Sequence, residues 1–392
     1  MPAPAICVAG IALLAFVATA IYAVPLDRFF VMPDELTYQK AALEIWKSPP
    51  LVGPSSDWFV SWSQLAPLVY AIPLGAAHDL VAGVRIAHLI AALSMALTAV
   101  PAYLLALEVT RKRNAAYLVA ALCVSVPWMA MAGTLMTEVF AYPAFTWAAW
   151  ATVRACADPR PRNDALALVA TFVAIFARAQ LVFVPVALLA AIIACVVRER
   201  RSLRAHRVLV AATALAALVV VLRLVLGGGL RGAIGSYSDL SQAHSVSLAI
   251  LGRLTAYVGV AVAAVPLIVG IPWIAAALVR RREPVAEFGF AVFATCSIVA
   301  VAYQASLELT QPGRLHDRYL IYALPLLFTA MAAALVSRRR LVAGTVVVGL
   351  LFAALVSRYD FFEAGAELPS LSFTLHEPIN SIAFSFGDQL GI

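Results

Sequence analysis

The sequence has little charge, few lysines and no cysteines at metal-ligand spacing. Only 12% of its 392 residues are charged, whereas a soluble protein carries roughly 25%. Hydrophobic residues make up 63% of the chain and its mean hydropathy is +0.93, so the protein surface itself must be apolar. This composition excludes soluble nucleic-acid-binding proteins, secreted disulfide scaffolds and disordered chains, and it predicts an integral membrane protein.

Cysteine and lysine are both scarce, and this limits further which kind of membrane protein the chain can be. The five cysteines lie in or at the ends of apolar segments, which is typical of small hydrophobic side chains without a disulfide or metal role. Only three of the 28 basic residues are lysines. This bias, with abundant alanine and valine, indicates a bacterial genome of high GC content, and therefore a bacterial cytoplasmic membrane.

The basic residues gather in short clusters between apolar segments. More than half of them lie in Arg111–Arg113, Arg154–Arg162, Arg198–Arg207, Arg280–Arg282 and Arg338–Arg340. When the positive-inside rule places all five clusters in the cytoplasm, the sequence predicts an all-α polytopic bundle of about eleven spans. The predicted spans are 5–24, 84–108, 114–132, 137–155, 165–179, 181–197, 208–226, 250–278, 285–305, 319–336 and 341–356.

The polar chemistry is predicted to collect on the extracytoplasmic side. Residues 165–197 have basic clusters at both ends, so they must form two short helices that turn near Arg178, at the outer face. Residues 25–83 form a long first outer loop with amphipathic helices, and a loop of that length is usually functional. We therefore divide the chain into a transmembrane domain, residues 1–356, and an outer tail or truncated outer domain, residues 357–392.

The first outer loop carries an acidic motif, PDELTYQK, at residues 33–40. Proline and carboxylates favour the first turn of a helix, so the motif predicts a helix from Pro33 to about Trp46. One interpretation is a simple helix start. The other is a functional face on which Asp34 and Tyr38 lie one turn apart and point toward the membrane surface.

Two further motifs are predicted to lie on the extracytoplasmic side. Glu138 stands among apolar residues where the fourth span begins, and such an acid either lines a cavity or caps the helix at the interface. The segment QPGRLHDRY, residues 311–319, brings two arginines to the outer mouth of a later span. The guanidinium groups of Arg314 and Arg318 match phosphate oxygens, although Arg318 and Tyr319 could also anchor the span.

These motifs together resemble the GT-C glycosyltransferases, polytopic enzymes that use polyprenyl-phosphate sugars. The pattern is closest to that of the protein O-mannosyltransferases and the lipid A aminoarabinose transferases. The resemblance rests, in order, on PDELTYQKAALEIWKS (33–48), QLAPLVYAIPL (64–74), GVRIAHLIAALS (83–94), MTEVFAYPAF (136–145) and HDRYLIYALPLL (316–327). The chain departs from the family where Glu138 replaces a more usual aspartate, and where many members carry a larger C-terminal outer domain.

The resemblance implies an inverting transferase that moves a sugar from a polyprenyl-phosphate donor to an acceptor hydroxyl on the outer face of the cytoplasmic membrane. Asp34 is the predicted general base, and Glu35 and Glu138 are predicted to assist it. The sugar and the envelope lipid, glycan or protein acceptor are left open. The remaining predicted site residues are Arg178, Arg314, Arg318, Tyr319 and Lys40 for the donor phosphate, and Tyr38, Gln39 and His316 for the sugar or acceptor.

The sequence leaves open a divalent cation as cofactor and two other functions, those of a transporter and of a non-catalytic scaffold. No sequence feature requires a cofactor; a divalent cation, if one is used, would be held by Asp34, Glu35 and Glu138. A lipid or solute transporter or flippase is the main alternative, but the sequence has no repeated halves and no matching pair of glycine-broken spans. A non-catalytic scaffold would not need paired acids opposite an arginine cluster.

Overall fold

A computed structural model describes residues 3–26, 33–47, 63–225, 247–280, 284–307, 317–337 and 341–358. These residues form α-helices joined by short 3₁₀ turns, with no β-strand among them, as the sequence predicts. The α-helices are α1 (Ala3–Ala23), α2 (Pro33–Lys47), α3 (Leu65–Ala76), α4 (Leu80–Ala96), α5 (Ala99–Thr110), α6 (Arg113–Cys123), α7 (Glu138–Ala157), α8 (Pro161–Ala177), α9 (Val184–Glu199), α10 (Arg207–Val225), α11 (Leu248–Ala261), α12 (Val265–Val279), α13 (Val285–Ser306), α14 (Ala323–Val336) and α15 (Val342–Val356).

Several of these helices are built to contact lipid. On α1, Leu13, Leu14 and Ile21 are exposed, and α15 buries none of its side chains. Exposed apolar surface of this extent is stable only in a non-aqueous solvent. By length and composition, five described helical segments could cross a membrane: Pro4–Ala23, Leu80–Thr110, Ala179–Glu199, Val285–Ser306 and Arg318–Val336.

The predicted number of eleven spans is not confirmed. Two bent helix pairs raise the described candidates from five to seven at most. The predicted span 250–278 is not one straight helix, because α11 and α12 meet at an angle of 112°, as in a broken span or a re-entrant loop. Pro266 cannot continue a helix from α11, and Ala263 and Ala264 adopt the left-handed conformation at φ 60° and 59°. A smaller bend of 51° precedes Pro127 within the predicted span 114–132.

The centre of the bundle is formed by α7 and α14. Almost every side chain of both helices is buried, including Tyr142, Phe145 and Phe328. Their neighbours contribute many alanines, such as Ala87 and Ala91 of α4, which are fully buried and allow close helix packing. The buried position of α7 matters for the site because the first residue of this helix is Glu138.

The acidic motif lies on α2, whose observed bounds confirm the helix predicted from Pro33 to about Trp46. This helix packs against α3 at a point where only glycine fits. A Cβ atom on Gly75 would lie 2.1 Å from Cγ of Trp46. Gly75 therefore sets how closely the acidic helix approaches the bundle.

A helical hairpin brings Arg178 to the same end of the bundle as Glu138. The pair α7 and α8 packs side by side, and α8 ends directly before Arg178, where the chain turns into a 3₁₀ segment and then α9. The backbone N–H of Ala179 donates to Ser63 Oγ at 3.1 Å, which ties this turn to the start of α3. The two helices predicted on either side of Arg178 are thus confirmed.

Candidate active site

Four charged side chains from distant parts of the sequence meet at one end of the bundle. We call them the acid–arginine cluster: Asp34 of α2, Glu138 of α7, Arg178 after α8 and Arg318 before α14. Arg318 is the bridge, because its Nη2 lies 3.1 Å from Asp34 Oδ2 and its Nε lies 3.3 Å from Glu138 Oε1. Arg178 Nη1 forms an ion pair with the other Glu138 oxygen, Oε2.

Three side chains of the acid–arginine cluster are buried, and the fourth is exposed to solvent. The side chains of Glu138, Arg178 and Arg318 are exposed by only 1%, 5% and 8%, whereas that of Asp34 is 51% exposed. A buried guanidinium is stable only when it is paired and hydrogen-bonded. Asp34 is therefore the one cluster carboxylate that a ligand can reach without opening the bundle.

Additional hydrogen bonds fix Arg178. Its Nη1 donates to Thr137 Oγ1 at 2.9 Å, and its Nε donates to Gln180 Oε1. The backbone carbonyl of Gln180 in turn accepts from Gln304 Nε2 of α13 at 2.8 Å. The guanidinium of Arg178 is held from several directions, which orients its plane within the cluster.

An aromatic ring lies beside both guanidinium groups. The Cζ atoms of Arg178 and Arg318 lie 5.4 Å and 5.7 Å from the centroid of Tyr319. Such cation–π contacts add stabilisation where the charge is desolvated. Tyr319, predicted as a phosphate ligand, is thus placed at the cluster through its ring.

The other predicted residues on α2 differ in how far they are buried. Glu35 is buried, Tyr38 and Gln39 are half-buried, and Lys40 is exposed. Their roles in assisting the base and in binding the donor or acceptor stay predictions. Arg314 and His316 lie outside the described residues.

Three polar side chains at the cluster were not among the residues predicted from the sequence. Thr137 and Gln180 bind Arg178, as described above. Tyr70 of α3 is fully buried, and its hydroxyl has no hydrogen-bond partner among the described residues. It lies close enough to Glu35 and Glu138 to interact with their charges, and its ring packs 5.4 Å from that of Phe140. A tyrosine within an apolar run gives no sequence signal of such a position.

Both carboxylates of the acid–arginine cluster are paired with arginines. Within the described ranges, no group of three or more His, Cys, Asp or Glu side chains could hold a metal ion. Asp34 and Glu138 both contact Arg318 instead. The divalent cation considered from the sequence therefore stays an untested prediction.

Known proteins resemble this chain in family profile and in fold. The sequence profile of the family described as dolichyl-phosphate-mannose-protein mannosyltransferase matches residues 70–225, a range that contains Glu138 and Arg178. No curated protein has a sequence that matches this chain. Among solved structures, ArnT from Cupriavidus metallidurans in the apo state is similar, with a TM-score of 0.56 and 18% identity over 92% of this chain and 67% of ArnT.

Together the family match and the shared fold support a GT-C superfamily membrane glycosyltransferase. The resemblance inferred from the sequence motifs is confirmed at this level. The oligosaccharyltransferase AglB from Archaeoglobus fulgidus, solved with an inhibitory peptide and a dolichol-phosphate, is also similar. Its TM-score is 0.49 and its identity 14%, and the alignment covers 88% of this chain but only 54% of AglB.

Proposed function

We propose that this chain is an inverting glycosyltransferase that moves a sugar from a polyprenyl-phosphate donor to an acceptor hydroxyl at the acid–arginine cluster. The observation that carries the proposal is the ion pair between Asp34 and Arg318. It joins a carboxylate that a ligand can reach to a buried guanidinium that is anchored on Glu138. A base beside an anion-binding group is what this transfer requires.

Asp34 acts as the general base in this proposal. It stands in the first turn of α2, and its half-exposed side chain leaves room for an acceptor hydroxyl. The acceptor oxygen attacks the anomeric carbon and forms the new C–O bond, while its proton passes to Asp34. The bond between the anomeric carbon and the phosphate oxygen breaks, and its electron pair leaves with the phosphate. A single displacement of this kind inverts the anomeric centre.

Arg178 and Arg318 stabilise the departing phosphate. Two carboxylates and two guanidinium groups give the acid–arginine cluster no net charge before the reaction. When Asp34 takes the acceptor proton, the cluster gains one positive charge as the phosphate gains one negative charge. The buried environment strengthens this interaction, because few waters screen it.

The basic residues indicate which side of the membrane the cluster faces. Arg154 lies in the last turn of α7 and Arg160 directly before α8, both at the ends remote from the cluster. Arg200 ends α9, whose first turn follows the Arg178 segment. If these arginines follow the positive-inside rule, the cluster lies on the extracytoplasmic face of the bacterial cytoplasmic membrane. The acceptor is then an envelope lipid, glycan or protein.

The proposal is tested by donor turnover. Purified protein in nanodiscs is incubated with a panel of polyprenyl-phosphate sugars and a bacterial lipid extract, and sugar release or transfer is followed by mass spectrometry. We expect one donor to be consumed, with inversion at its anomeric carbon. A protein that consumes no donor but moves a lipid or solute across the bilayer would be a transporter, and the proposal would be wrong.

A further inference from the structure

A second polar site lies at the opposite end of the bundle. It is a cavity of about 480 Å³ between α5, α7 and α8, lined in part by Arg111, Arg154, Arg160 and Arg162, and we call it the arginine pocket. On α7, Arg154 follows Glu138 at a separation of about 24 Å along the helix axis, at 1.5 Å rise per residue. The pocket is therefore separate from the acid–arginine cluster.

The arginine pocket has more positive than negative charge. Two carboxylates, Glu108 and Asp158, face its four arginines. Arg154 Nη1 lies 3.2 Å and 3.3 Å from the two oxygens of Glu108, and Arg160 Nε lies 2.9 Å from Asp158 Oδ1. Within the described ranges, no ion pair involves Arg111 or Arg162. Two guanidinium groups are thus left to bind an anion.

Apart from Asn163, the rest of the pocket wall is apolar. Leu104, Leu107 and Trp150 line the pocket beside the arginines. Arg111 directly follows Leu80–Thr110, a segment long and apolar enough to span a membrane. Tryptophan is enriched at membrane interfaces, where one side of the ring contacts hydrocarbon. The pocket therefore combines anion-binding groups with a surface that suits an acyl chain.

We propose that the arginine pocket binds the phosphate group of an anionic phospholipid. Guanidinium groups match phosphate oxygens in pairs, and basic pockets between membrane helices are suited to anionic head groups. Free phosphate shares this chemistry but would leave the apolar wall unused. The site does not depend on the proposed transferase reaction, because it is formed by different residues at the other end of α7 and α8.

The test compares two double variants of the full-length protein in neutral detergent. Arg111→Gln with Arg162→Gln removes the two pocket arginines that form no ion pair within the described ranges. Arg200→Gln with Arg204→Gln removes two positive charges from the same end of the bundle but outside the pocket lining. Arg111 and Arg200 both end a helix in the left-handed conformation, at φ 54° and 52°, so the controls are matched in backbone strain as well as charge.

Binding is measured by native mass spectrometry with phosphatidylglycerol, phosphatidylcholine and inorganic phosphate. We expect the wild type to prefer phosphatidylglycerol, the pocket variant to lose about tenfold in that affinity, and the control variant to keep it. An equal loss in both variants, or no loss in the pocket variant, would overturn the proposal. Saturable binding of inorganic phosphate without any lipid preference would assign the pocket to soluble phosphate and overturn the lipid assignment.

A second measurement needs no variant. Phenylglyoxal modifies accessible arginines, and the modified positions of wild-type protein are mapped by peptide mass spectrometry with and without phosphatidylglycerol. We expect the lipid to protect Arg111 and Arg162 while Arg200 and Arg204 react as before. Equal protection of all four arginines would mean that lipid merely coats this end of the bundle, contrary to the proposal.

Discussion

Arginine–carboxylate ion pairs lie near both ends of α7, but those at one end are buried and those at the other are exposed to solvent. At the acid–arginine cluster the arginine side chains are at most 8% exposed, and each contacts at least one carboxylate. At the arginine pocket the side chains of Arg154 and Arg160 are 41% and 74% exposed. A buried charge that loses its partner is strongly destabilising, whereas a solvated ion pair contributes little. Substitution of a charged residue should therefore be tolerated at the arginine pocket and not at the acid–arginine cluster.

Glu138→Gln should have the largest effect on folding. It leaves Arg178 and Arg318 without their shared buried counter-charge, and breaking such a pair costs about 3–5 kcal/mol. We expect a loss of this size in the free energy of unfolding, measured by denaturant titration in detergent, together with loss of donor turnover. A variant within about 1 kcal/mol of the wild type would show that the burial of this cluster does not stabilise its ion pairs.

Gly75→Ala should have an intermediate effect and test how α2 delivers Asp34 to the cluster. The new Cβ would meet the ring of Trp46 at 2.1 Å, so the ring or α2 itself must shift. We expect a loss of about 1–3 kcal/mol in unfolding free energy and a fall in turnover of about tenfold or more.

Gly10→Ala is the matched control for that substitution. Gly10 also lies within a helix, but no neighbouring atom lies within 4 Å of the position that its new Cβ would take. Both variants are assayed side by side for thermal unfolding and donor turnover. Equal turnover in the two would show that close packing of α2 on α3 is not needed for activity.

Glu108→Gln should have the smallest effect on stability, and it tests the ion pairs of the arginine pocket. Glu108 pairs with Arg154 in a part-buried setting, with side-chain exposures of 20% and 41%, against 1% for Glu138. Ion pairs that keep contact with solvent contribute little, about 1 kcal/mol, so the unfolding free energy should fall far less than in Glu138→Gln, and turnover should stay near the wild type. A loss as large as that of Glu138→Gln would contradict the distinction between the two ends.

Short-range patterns in the sequence are sufficient to predict several parts of this structure. Pro33 and the two acids after it predict where α2 begins, and the basic clusters around residues 165–197 predict the turn at Arg178. Both follow from short-range chemistry, namely helix-start preferences and charge placement. Pro266 also signals a helix break in the sequence, but the long apolar run around it favours the interpretation as a single span.

The contacts within the cluster could not be predicted from the sequence. Arg318 and Asp34 are 284 positions apart, and their 3.1 Å contact depends on how α2, α7 and the segment before α14 pack. Motif order indicates that such residues share one side of the membrane, but it does not give their pairing. The same holds for Tyr70, which becomes a buried polar group only when α3 packs near Glu35 and Glu138.

The role of Asp34 as general base is tested most directly by the donor turnover of Asp34→Asn. A general base contributes about 10²–10⁴-fold to a rate, so transfer should fall by at least about 100-fold while donor binding and thermal unfolding stay near the wild type. Asp79→Asn is the control, because Asp79 is an exposed helix cap whose carboxylate accepts from Ala82 N–H, and asparagine also caps helices well. A folded Asp34→Asn protein with wild-type turnover would contradict the account.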